Sequence, residues 1–177
     1  MRVSLVIPII ASVVCASGAI VPRLDFQELM ETSPRILHAR VLDSRVASSG
    51  EFLWTHYRLQ VLDRLKGDFP SEITVSEPGG ALNGLTMHVA GVVEYRAGEE
   101  VILFLSPTPI GYWRTTGFSQ GKFSVVQAGG RKRVRANLKD AAFVDLRTRA
   151  ASARMLDALN GLDLDEFKAE IRRQAGR

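Results

Sequence analysis

Between Ile36 and Leu138 apolar residues come in short runs that alternate with polar ones, and Gly, Pro, Asn and Ser break the runs. Successive side chains of a strand point to opposite faces, so this spacing predicts a β region. Over Glu51–Leu62, residues Leu53, Thr55, Tyr57, Leu59 and Val61 share one face, and Phe52, Trp54, His56, Arg58 and Gln60 share the other. The first face is core; the second starts aromatic and becomes polar. Further strands are predicted over Ile36–Val46, Glu72–Glu77, Leu85–Val93, Val101–Ser106, Tyr112–Ser119, Lys122–Gln127 and Arg131–Leu138. The run VILFL, Val101–Leu105, is apolar on both faces, which places it centrally with both sides covered. Short strands with little helix between them imply antiparallel pairing in a closed or half-closed barrel or a sandwich.

The pattern changes after Asp140. Ala151, Met155, Ala158 and Leu159 stand at helical spacing before an Asn160-Gly161 stop. A second helix is predicted behind Asp163, with Glu166 three residues on as in a capping box and Leu162 and Phe167 placed as a hydrophobic staple. Acids open it and Arg172 and Arg173 close it, in keeping with the helix dipole. Asp25–Thr32 is a third helical candidate. The chain therefore divides into a leader at 1–19, a lead-in at 20–34, a β domain at 35–139 and a helical segment at 140–177.

The leader carries Arg2, an apolar run from Val3 to Val14, and small residues Ser17 and Ala19 before an expected cut. That is the pattern of a secretory signal peptide. A membrane anchor needs about 20 predominantly apolar residues, and Ser4, Pro8 and Ser12 interrupt this run. The expected location is secreted, periplasmic or at the cell envelope, with no membrane span in the mature chain. The single cysteine, Cys15, lies in the leader, and Val14 before it is a poor fit to a lipid-attachment motif. Cleavage after Ala19 leaves a chain without thiols, hence without disulfides or cysteine metal ligands. Loss of Arg2 lowers the formal charge of +4 by one.

Lys66-Gly67 invites a comparison with phosphate loops, but these put a glycine-rich turn before a helix. Here Asp68, Phe69, Pro70 and a β-branched run follow, so the expectation is a hairpin connection in which Gly67 takes a positive φ. Gly79-Gly80 reads as the turn before the Leu85 strand. The pieces "ILHARVLDSRV", "THYRLQVLDRLKG", "ITVSEPGG" and "GEEVILFLSP", within Ile36 to Gln127, resemble successive parts of small exported bacterial β-proteins. Their layout is similar to the netrin-like OB barrel of the tissue inhibitors of metalloproteinases. The resemblance implies a mainly β fold, an OB-like antiparallel β-barrel with short C-terminal helices, and a protease among the expected partners. It also implies an N-terminal cysteine on the protease zinc and loops stapled by disulfides, and this chain has neither after residue 19.

Candidate chemistry is sparse. His38, His56 and His88 are dispersed without a close ligand pair, so no metal site and no cofactor are expected. Gly117 and Gly121 flank Ser119 at the spacing of a nucleophile elbow, but that motif needs a helix after the serine, whereas Lys122–Val126 continues as a strand. Glu99 and Glu100 are expected to flank a strand and face solvent on opposite sides. The basic run RKRVRANLK reads as an edge strand guarded by charge in preference to a nucleic-acid groove. Phe52, Trp54 and His56, with Tyr112 and Trp113 as a second aromatic edge, are the candidate binding residues, either lying beneath a C-terminal helix or exposed as anchors. The expected function is a non-catalytic exported module that binds a protein or ligand. The alternatives are a metalloproteinase-inhibitor-like protein without cysteine-based zinc chelation and a serine hydrolase centred on Ser119.

Overall fold

The two longest predicted strands meet as one hairpin. β2 (Arg35–Ser49) and β3 (Phe52–Lys66) pair antiparallel from Ile36 opposite Lys66 to Ser49 opposite Phe52, joined by Gly50-Glu51. Both run further than their sequence pattern indicates, because Ala47–Ser49 and Asp63–Lys66 are held by cross-strand pairing and not by apolar alternation. The computed structural model describes residues 20–136, 138, 142–144, 156 and 158–176. The predicted signal segment 1–19 with Cys15, and Ala151 and Met155 of the first C-terminal helix, lie outside the described residues.

Around the hairpin are β4 (Glu72–Pro78), β7 (Glu100–Pro107) and β8 (Trp113–Thr115), and the ring β2-β3-β4-β8-β7 returns to β2. The result is a closed five-stranded, OB-like barrel in a mainly β chain with a short C-terminal helix. One contact departs from the expected antiparallel scheme: β4 and β8 meet in parallel, at Val75 and Trp113. β9 (Lys122–Ala128) and β10 (Arg131–Ala136) extend the sheet beyond β7. β5 (Gly80–Leu82) and β6 (Leu85–Met87) form a small hairpin, and β1 (Ile20–Pro22) pairs in parallel with β11 (Ala142–Val144).

VILFL behaves as its pattern predicts. Val101, Leu103 and Leu105 fill the barrel with Leu37, Leu59 and Val75, while Ile102 and Phe104 point outward into a second core. Two helices cover that outer face. α1 (Phe26–Thr32) starts with a full capping box between Asp25 and Glu28, and α2 (Leu164–Ala175) starts at Asp163. At α2 the expected box is only half made: Asp163 accepts from the amide of Asp165, and no reciprocal bond from Glu166 forms. Phe26, Phe104, Phe123 and Phe167 interlock between helices and sheet with ring centroids 4.9–6.1 Å apart. Fully burying one such side chain contributes about 1.5–3 kcal/mol.

Three predicted segments differ from what forms. Leu85–Val93 is a strand only over Leu85–Met87, and Gly80 lies inside β5 instead of in a turn. The turn belongs to Asn83-Gly84, both at positive φ, the Asn-Gly signature of a two-residue hairpin. Tyr112–Ser119 is a strand only over Trp113–Thr115, because Gly117 turns left-handed and opens a 3-10 turn over Phe118–Gly121. Lys66-Gly67 is the expected strand connection. Gly67 has φ +77°, and a Cβ there would lie 3.0 Å from the carbonyl oxygen of Pro34. The Lys66 ammonium donates to the carbonyl of Met30 at 2.6 Å, at the C-terminal turn of α1 where a cation is favoured.

Candidate binding face on the barrel

β3 carries the aromatic side chains to the outside by simple alternation. Leu53, Tyr57 and Leu59 are buried, Trp54 and His56 are half-buried, and Phe52 is 60% exposed. Cross-strand register places Pro78 beside Trp54 and Ser76 beside His56 on β4, and Ala47 and Arg45 opposite the same two residues on β2.

The cover over Trp54 is Tyr112. Its ring stands edge-on to Trp54 at 5.4 Å and to His56 at 5.2 Å, a favoured aromatic geometry. The β7–β8 loop holds Tyr112 there: its amide donates to Thr108 Oγ1, its carbonyl accepts from the amide of Thr108, and Gly111 supplies a left-handed residue between them. Ile110, at the loop tip, is 58% exposed. His56 Nδ1 lies 2.7 Å from Ser76 Oγ, which fixes the ring. Partial burial, with the Arg45 charge beside it, holds His56 below its ordinary value and favours neutral imidazole at neutral pH.

α2 is remote from this face. It reaches β3 through Asp63, whose carboxylate takes Lys168 at 2.6 Å and Arg172 at 2.7 Å. Asp63 lies nine residue steps along the strand from Trp54, about 30 Å of chain. The platform therefore consists of Trp54, His56 and Tyr112, flanked by Phe52 and Ile110. Trp113 does not join it. As Tyr112's immediate neighbour it faces the other way, packs toward the barrel core and lies under the Arg35 guanidinium at 4.3 Å.

The other sequence candidates fall elsewhere. Ser119 Oγ is buried without a hydrogen-bond partner, in the 3-10 turn and not at the tip of an elbow. Glu99 and Glu100 are half-buried, which corrects the solvent-facing expectation. Glu99 takes Lys122 Nζ and Ser124 Oγ; burial alone would raise its carboxyl, but these bonds hold it below its ordinary value. Glu100 gathers His38, Arg40 and Lys132. Burial lowers His38 against the pull of Glu100. Among the described residues no three His, Cys, Asp or Glu side chains gather as a metal-ligand set, and no helix is long and apolar enough to cross a membrane. Of the basic run RKRVRANLK, Arg131–Ala136 form β10, at the edge of the seven-stranded sheet, as the charge pattern indicates.

Sequence reasoning missed Glu77. It points into the barrel mouth, takes the amide of Thr115 at 2.8 Å and the Arg114 guanidinium at 3.4 Å, and its carboxyl is raised by burial. The alternation Ile73, Val75, Glu77 on one face was the available signal. Neither protein-family models nor curated protein sequences give a match to this chain.

Proposed function

We propose that the protein is an exported, non-catalytic binding module that captures a partner protein on the Trp54–His56–Tyr112 platform. The observation that carries this reading is an aromatic cluster held half-exposed on the outer face of the β3–β4 pair. Phe52 and Ile110 at its margin add large apolar surface. OB barrels bind ligands on the equivalent face, between the second and third strands of the ring and the loops beside them. Tyr and Trp are also the residues that dominate interface energetics. Arg58 is paired with Asp43 and Glu72, and Arg45 opposite His56 is a single cation, not the basic groove that nucleic acid requires.

The setting of Ser119 supports the non-catalytic reading. An activated serine needs a base within hydrogen-bond reach, and the buried Ser119 hydroxyl has no hydrogen-bond partner among the described residues. Where the partner is a proteinase, as the resemblance implies, contact runs through aromatic side chains, because no cysteine follows residue 19 to chelate zinc.

The test is affinity capture. The protein and its Tyr112→Ala variant are immobilised, exposed to an extracellular fraction of the source cells, and the retained proteins are quantified. A partner held by the parent and reduced at least tenfold by the variant supports the platform. Equal retention by both removes it, and stoichiometric fluorophosphonate labelling abolished by Ser119→Ala would replace the binding module with a hydrolase.

A further inference from the structure

Among the described residues, one side of β2 has no hydrogen-bonded strand beyond its inner half. β7 pairs with β2 only over Arg35–Arg40, and the amides of Val41 and Gly98 make the last bonds across that edge. From Asp43 to Ser49, β2 is hydrogen-bonded to β3 alone among the described residues.

The groups left over can be named. In an antiparallel pair the residues alternate between bonding the partner strand and pointing away from it. Ser49 and Phe52 close the two-residue Gly50-Glu51 turn as a bonded pair, so Ser48, Val46 and Ser44 point outward. The count from the other end agrees. Val41 points outward to Gly98 and Glu99, and the irregularity between Val41 and Asp43 shifts the alternation by one residue. Leu53, opposite Ser48, turns its carbonyl away from β2 to the amide of Gly79. Three N–H and three C=O groups therefore form an open edge, with Ser44 and Ser48 exposed and Val46 half-exposed.

Both flanks of this edge are shaped. On the outer side Arg45 and Ala47 adjoin His56 and Trp54 of the platform. Asp43 is held by Arg58, but Arg45 is exposed and, among the described residues, forms no ion pair. On the inner side Ser44 stands at the rim of a cavity of about 210 Å³ over Tyr57 and Tyr95, with His88 and Glu94 also exposed at the rim. Pockets for drug-sized ligands measure roughly 300–1,000 Å³, so this one has room for a single side chain.

We infer that the β2 edge takes an extended segment of the partner protein, antiparallel to Asp43–Ser49, with an acidic side chain beside Arg45 and one side chain in the cavity next to Ser44. The inference rests on the binding-module reading and states how the partner is held: main-chain bonds supply affinity, and the two flanks supply specificity. A second copy of the chain fits less well. Twofold pairing about Val46 sets Arg45 against Ala47, and pairing about Ser44 offers it only Asp43, which Arg58 already holds.

Amide NMR of the 15N-labelled protein tests this. The probes are a capped heptapeptide of alternating Thr and Val, with Glu at the position beside Arg45, and its Lys counterpart. The Glu peptide should shift the amides of Ser44, Val46 and Ser48 more than those of Arg45 and Ala47. It should bind roughly tenfold more tightly than the Lys peptide, and Arg45→Glu should reverse that order. Ser44→Pro with Ser48→Pro removes two outward donors, which edge strands tolerate, and should abolish the shifts with the melting temperature within a few degrees. If that variant fails to fold, the Arg45→Glu reversal decides. Shifts confined to Trp54, His56 and Tyr112 would sink strand addition while leaving the platform intact. No shift at millimolar peptide would sink it too, as would the same amide shifts appearing without peptide as protein concentration rises, the mark of self-association.

Discussion

The outer surface of the barrel is treated in two ways. Over β7 and β9 the outward residues Ile102, Phe104 and Phe123 lie fully buried beneath α1 and α2. Over the outer half of β3 the outward residues Phe52, Trp54 and His56 are large as well, yet among the described residues the aromatic cover over Trp54 and His56 is one tyrosine from a loop. A side chain locked between layers contributes its burial to folding, whereas one only partly buried on a strand keeps its exposed remainder for a partner. The difference teaches where each kind of substitution should be felt.

The largest effect is expected under the helices. Phe167→Ala empties the space between Phe26 and Phe123 and should cost about 3–5 kcal/mol, lowering the calorimetric melting temperature by roughly 10 °C. A loss no greater than that of a surface substitution would erase the contrast between the two faces.

The clamp that fastens α2 comes next. Burial alone would raise the Asp63 carboxyl, but the bonds and charges of Lys168 and Arg172 hold it below its ordinary value. A depressed carboxylate contributes stability above its unfolded pKa, near 3.9, and loses it as pH falls through the lower folded value. Asp63→Asn should therefore cost about 1 kcal/mol at neutral pH, given the half-exposed Arg172. In urea melts the gap from the parent should close progressively below about pH 4. A gap that persists unchanged at pH 2 would mean that packing, and not charge, fastens the helix.

The smallest effect belongs to the rim of the bare face. Phe52→Ser, at 60% exposure, should leave stability within about 0.5 kcal/mol in the same melts. A larger loss would mean that Phe52 belongs to the covered surface.

The contrast was half legible in the sequence. VILFL is apolar on both faces and β3 on one, so the burial of β7 and the outward placement of Trp54 follow from alternation alone. That Tyr112 would fold onto Trp54 could not be read, because the contact joins residues 58 apart through a loop set by Thr108 and Gly111. Trp113 and Tyr112 diverge as adjacent residues of an extended segment do, and Asn83-Gly84 is a stronger hairpin-turn signal than Gly79-Gly80. Both signals were present locally. Glu99 and Glu100 misled for a different reason: Lys122, Ser124, His38 and Lys132 reach them from other strands, and only the register brings those groups together.

The claim that Trp54 works for binding and not for folding is tested most directly by measuring melting temperature and partner capture together for Trp54→Ala and Leu59→Ala. Leu59 is fully buried on the opposite face of the same strand. Trp54→Ala should weaken capture by about 2 kcal/mol or more while its melting temperature stays within a few degrees of the parent. Leu59→Ala should lose about 2–5 kcal/mol of stability and, where still folded, retain the partner. A Trp54→Ala chain that unfolds as readily as Leu59→Ala would contradict the account.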